Sequence, residues 1–126
     1  MTEHVRFFVS GVPVPKQSFR MGKGHGYTDP RVAAWAAAVQ SEAMRYIQNK
    51  IPGNVFVKMN FYMPNNRRVD LDNLSKNVLD SVKDICFEDD CMVTKLLLTK
   101  SVCPTTPGVL VTIKENLLDE IDKAGK

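Results

Sequence analysis

The sequence has no apolar run approaching the ~18 residues of a membrane span, and no charged start leading into an apolar stretch. Neither a transmembrane segment nor a signal peptide is expected, and a cytoplasmic location follows by default. Cysteine is scarce. Cys86, Cys91 and Cys103 are odd in number, lack C-x-x-C spacing and have no histidine close by, so they read as reduced thiols. Cys86 and Cys91 flank an acidic stretch, which leaves ligation open as the other reading. Calcium-loop chemistry is also missing. An EF-hand starting at Asp70 would need an oxygen ligand, a glycine and a glutamate where Leu74, Ser75 and Ser81 stand. There are no internal repeats or low-complexity tracts, and no organic cofactor is expected.

What is present is an ordinary globular composition: 126 residues, 44% hydrophobic and 25% charged, enough for one domain with one core over residues 1–126. The formal net charge of +3 permits a polyanionic partner without requiring one. Its distribution is more informative. Lys16, Arg20, Lys23 and His25 fall in one proline- and glycine-rich stretch, and Arg67-Arg68 stand beside an acidic pair.

Periodicity outlines the fold. Val5, Phe7 and Val9 alternate with polar neighbours, predicting a strand over 4–10. Residues 11–30 show no period and read as a long loop. Asp29-Pro30 then opens a helix with Val32, Trp35, Val39, Ala43, Tyr46 and Ile47 on one stripe. Val55 to Met63 alternate as a second strand, and a helix from Asp70 or Asp72 buries Leu71, Leu74, Val78, Val82 and Ile85. Two strands follow, "MVTKLLLTKSV" and "VLVTIKEN", and the tail "LLDEIDKAGK" suits a short helix. The expected class is α/β: a small mixed sheet of about four strands, in the order β-α-β-α-β-β-α, with helices packed on it.

"NNRRVDLDNLSKNVLDSVKD", residues 65–84, concentrates the chemistry. One aspartate suffices to cap a helix, and Asp72, Lys76 and Asp80 at i, i+4, i+8 could form only a solvated ladder of side-chain pairs. The alternative is a metal site. If residues 70–72 are extended, Asp70 and Asp72 project to one side and present hard oxygen ligands suited to Mg²⁺ or Mn²⁺. Glu88, Asp89 and Asp90 could join them only if the connection after the helix folds back. Lys76, one turn beyond Asp72, could touch a phosphate.

The motif D-L-D-N-L-S-K with a further aspartate at position 80, followed by "EDDCMV", resembles the signature of the RusA-type Holliday-junction resolvases. "VSGVPVPKQSFR" is similar to the Pro-x-Pro-Lys opening of phage-type members, so the resemblance spans most of the chain. It implies a homodimeric, Mg²⁺-dependent endonuclease, with Mn²⁺ as a possible substitute, that nicks four-way junction DNA symmetrically. It assigns Asp70, Asp72 and Asp90 as metal ligands and Lys76 as the catalytic or phosphate-contacting lysine. Asn73, Asp80 and Asp89 are supporting, and Glu88 leaves the downstream ligand open. Lys16, Arg20, Lys23, Arg67 and Arg68 are the candidate phosphate contacts. Phe19 reads either as a base-stacking wedge or as a loop anchor. Two other readings stand beside this one: a non-catalytic DNA-binding protein, and a metal-dependent nuclease of flaps, forks or RNA.

Overall fold

The computed structural model describes residues 4–16, 20–22, 25–27 and 29–116. Its centre is a four-stranded mixed sheet in the order β1-β6-β4-β5, built from β1 (His4–Ser10), β4 (Val55–Met63), β5 (Val93–Val102) and β6 (Gly108–Glu115). β6 runs antiparallel to both β1 and β4, while β4 and β5 are parallel. A parallel pair needs a crossover, and α2 (Leu71–Val82) supplies it. The other helix, α1 (Pro30–Tyr46), follows a feature that periodicity did not reveal: a small antiparallel hairpin, β2 (Arg20–Gly22) with β3 (His25–Tyr27), inside the stretch expected to be loop. Three-residue strands are too short to show a period. The tail helix expected after residue 116 lies outside the described residues.

Alternation decided the strands well. Val5, Phe7, Val9, Val55, Val57, Met59, Phe61 and Met63 are all buried on the face that meets the helices. Val32, Trp35, Val39 and Ala43 of α1 and Leu74, Val78 and Val82 of α2 close the core from the other side. Tyr46, the last residue of α1, departs from the expected stripe and is exposed, with the Arg45 guanidinium 5.5 Å from its ring centre. Asp29 caps α1 as expected, accepting the Arg31 amide at 2.9 Å, and the Arg31 guanidinium wraps back onto the same carboxylate. Those bonds hold the Asp29 carboxyl below its usual range. Among the described residues no helix is long and apolar enough to cross a membrane.

Among the described residues no helix packs on the opposite face of the sheet. Arg6, Lys58, Lys95 and Lys114 lie on it, interleaved with Phe8, Phe56 and Tyr62, and its strand positions carry no carboxylate. The Lys95 and Lys114 ammonium groups sit 4.9 and 5.4 Å from the centre of the Phe56 ring. Phe8 crosses over Gly108, where a Cβ would lie 2.4 Å from both the Phe8 ring and the Val9 carbonyl oxygen. The ring could swing away, but the backbone oxygen could not. Gly108→Ala is therefore expected to cost about 1–3 kcal/mol through overpacking, read as a lower urea midpoint with unchanged m-value. An unchanged midpoint would contradict this packing.

Candidate functional site

α2 begins where β4 ends, after the turn through residues 64–69. Lys100 on β5 fixes that turn, its ammonium donating to the Val69 carbonyl at 2.6 Å. Asp70 is the N-cap residue, with extended backbone at φ −69° and ψ 128°. A cap aspartate normally accepts an amide of the first turn. Asp70 does not; its side chain makes no cap hydrogen bond. Its carboxylate instead accepts a long bond from the Asn73 amide, at 3.4 Å. Asp72 is already inside the first helical turn, so the condition for the two aspartates to project from one extended segment is not met. Both are exposed at the positive end of the helix, where carboxylates and phosphates are stabilised.

Lys76 reaches toward Asp72 at 3.9 Å, a loose and mostly solvated pair. The expected ladder stops there. Asp80 turns the other way and binds the ammonium of Lys16, across 64 residues of sequence. The Lys16 amide donates to the Asn73 carbonyl at 2.9 Å, and Asn77 donates to the Val14 and Val32 carbonyls at 3.0 and 3.4 Å. The Pro-x-Pro-Lys segment is thereby laced along α2. Asn77 stands outside the acidic motif, but an asparagine beside Leu74 and Val78 on an apolar stripe signals that something polar must be met there, and it is buried.

Between this lacing and the turn after β4 opens a cleft of about 600 Å³, lined by Pro13, Pro15, Asn65, Arg67 and Arg68 among others. Arg67 and Arg68 are exposed at its rim, close in sequence to Asp70. Arg31 also lines it, but its guanidinium is committed to Asp29. Arg20 falls in β2, and Phe19 and Lys23 lie outside the described residues.

The downstream acids are placed elsewhere. After α2 the chain turns tightly, with Asp84 at φ 70°, its amide bonded to the Phe87 carbonyl at 2.8 Å, and Phe87 fully buried. Asp90 then opens a short 3-10 helix, Asp90–Met92, that leads into β5. Because β5 starts level with Val55, Asp90 sits at the end of the sheet where α2 finishes. Asp70 and Asp72 sit where it starts. Twelve helical residues separate those ends by about 18 Å. The connection does not fold back, and no group of three potential metal ligands forms among the described residues. Glu88 pairs with Lys50 at 3.5 Å, and Asp89 accepts from the Cys91 thiol at 3.6 Å, leaving the Asp90 carboxylate exposed.

The cysteines fit the reading as free thiols. Burial pushes the Cys86 thiol up to about 12, which makes it unreactive. Hydrogen bonds from Thr106 and Thr105 lower that of Cys103.

Comparison with known proteins identifies the class as endodeoxyribonucleases, hydrolases acting on the phosphodiester bonds of DNA. Within it, the family model described as endodeoxyribonuclease RusA matches residues 10–114, and the chain belongs to that family. It is similar to the crossover junction endodeoxyribonuclease RusA of Aquifex aeolicus (strain VF5), with 25% identity over 116 residues, covering 89% of this chain and 92% of the relative.

Proposed function

We propose that this protein is a Mg²⁺-dependent, structure-selective endodeoxyribonuclease that resolves four-way DNA junctions by paired nicks and acts as a homodimer. The observation that carries the reading is Asp70: it occupies a cap position yet its carboxylate caps no backbone N–H, beside the exposed Asp72 and Lys76. Membership of the RusA family and the name of the Aquifex relative point to the junction as substrate.

Two exposed carboxylates at one helix start suit Mg²⁺, which takes one or two protein carboxylates and completes its octahedron with water and phosphate oxygens. Mn²⁺ fits the same oxygen donors. Asp70 and Asp72 would hold the ion, which when bound supplies an activated water and a polarised phosphoryl oxygen. Asn73 steadies the Asp70 carboxylate through its side-chain amide. Lys76 is loosely held, so its ammonium can leave Asp72 for a phosphate oxygen and offset the charge that builds up there during cleavage. Arg67 and Arg68 draw the DNA backbone to the cleft. Lys16 keeps the amino-terminal segment on α2 through Asp80, a positioning task rather than a free phosphate contact. Asp90 can serve the same ion only when it comes from a second chain, since its own α2 lies between it and Asp70.

The test is to incubate the protein with labelled four-way junction, linear duplex and flap DNA, in Mg²⁺ and in EDTA. Symmetric paired nicks on the junction, lost in EDTA, are the expected result. Binding without cleavage of any substrate would mean a DNA-binding protein, and preferential flap cutting would mean a different nuclease.

A further inference from the structure

On the sheet face turned away from α1 and α2, the strand registers sort cationic and aromatic side chains into two lanes. Residues that oppose one another across the strands form rows. Lys114, Phe56 and Lys95 share the row nearest the start of β4, and Arg6 and Lys58 share the next. In the order Arg6, Lys114, Lys58, Lys95, the cations zigzag across all four strands. Strand spacing and rise put the backbone of successive members about 8 Å apart. Phe8 and Tyr62 occupy the two rows beyond, with ring centres 6.4 Å apart and planes tilted by 44°.

The cationic lane has no counter-charge of its own. Among the described residues none of its four cations pairs with a carboxylate. Like charges so close together repel one another until a polyanion joins them. The Phe56 ring gathers two of the ammonium groups, Lys95 at 4.9 Å and Lys114 at 5.4 Å, and keeps them on the face. Beside this lane Phe8 is 39% exposed and Tyr62 half-buried. Duplex DNA would satisfy the cations but leave those rings idle, because its bases are stacked inside. An unpaired strand matches both lanes: it carries a line of phosphates and, to one side, a line of open bases.

We propose that this face binds single-stranded DNA, its phosphates on the Arg6–Lys114–Lys58–Lys95 lane and its bases stacked on Phe8 and Tyr62. The strand crosses the sheet, because both lanes do. Aromatic and cationic side chains on an uncovered sheet hold unpaired nucleic acid in this manner, and membership of an endodeoxyribonuclease family selects DNA as the strand. The site is separate from the acidic helix start. Asp70 and Asp72 belong to α2, which packs on the other side of the sheet. A strand held here is not the one presented to Asp70, so the protein is tethered to unpaired DNA independently of what it cuts.

The test follows the fluorescence anisotropy of a labelled oligothymidylate in EDTA at rising salt, with a duplex of equal length in parallel. Wild type should bind the single strand more tightly than the duplex. Lys58→Gln with Lys95→Gln and Lys114→Gln should weaken binding. It should also flatten the plot of log affinity against log salt by about 2, since each phosphate contact on a single strand contributes about 0.7. Phe8→Leu keeps an apolar side chain against Gly108 but removes the ring. It should weaken binding on the order of tenfold and leave the salt slope unchanged, as should Tyr62→Leu. A thermal melt confirms that each variant is folded. If the triple variant is not, Arg6→Gln, at an exposed position, should flatten the slope by about 0.7. Unchanged affinity and slope on removing the cations overturns the site. So does unchanged affinity in both ring variants, or a wild type that prefers the duplex. A chain that binds the oligonucleotide as expected yet cuts no junction in Mg²⁺ keeps this site and loses the nuclease reading instead.

Discussion

Asp70→Asn is expected to reduce junction cleavage on the order of 10²–10³-fold or more while leaving junction binding and thermal stability close to wild type. Substitution keeps the shape of the side chain and removes one charged, hard oxygen ligand. Losses of that size follow the removal of a single group stabilising charge in a transition state. Stability should hold because the Asp70 side chain accepts no first-turn backbone N–H; its one bond is the long one from the Asn73 side chain. A structural aspartate at this position would behave in the opposite way, with the melting temperature falling and activity following only through the folded fraction. Cleavage assays in Mg²⁺, gel-shift binding in EDTA and a thermal melt separate the two cases. Full cleavage by purified Asp70→Asn would remove Asp70 from the proposed metal site. Binding should persist because the cation side chains remain, and it can tighten slightly as an acidic group leaves the DNA surface.

How much of this could be read from residue order depends on the range of each interaction. The strands were legible because alternation is local, and Val55 to Met63 obey it at every position. The helices were legible from their stripes and, for α1, from the Asp29-Pro30 start. The β2–β3 hairpin was not, since three residues on each side carry no period. The motif around Asp70 was visible, but its geometry was not. Where the turn after β4 meets α2 involves contacts far apart in sequence, such as the bond from Lys100 to the Val69 carbonyl, thirty-one residues away. The Lys16–Asp80 pair was hidden for the same reason: two motifs read separately turn out to hold each other. Asp90 shows the deepest gap. Its likeness to a family motif suggested a shared site with Asp70, while the parallel β4–α2–β5 crossover sends it to the far end of the sheet. If a second chain completes the site, as proposed, no pattern within one chain can reveal it.

That gap yields the second large expectation. Asp70→Asn and Asp90→Asn, each inactive alone, should recover cleavage when the two chains are refolded together. If a site takes Asp70 and Asp72 from one chain and Asp90 from the other, the mixed dimer has one site with both substitutions and one with neither. Random pairing of equal amounts makes half the dimers mixed, so about one quarter of the wild-type sites should return. A mixed dimer cuts only one strand, so its product should be nicked junctions rather than resolved duplexes. The informative control is Asp70→Asn with Asp72→Asn. Both changes fall on the same half of the site, so every site in every pairing carries a substitution and no activity should return. Recovery in that control would mean that the aspartates act independently of one another. No recovery with Asp90→Asn, despite exchange of subunits shown by mass, would mean that Asp90 does not complete the partner's site. The helix start at Asp70 would then have to work with ligands from its own chain and the DNA alone, and the 18 Å that separates the two acid groups, about the length of α2, would need another cause.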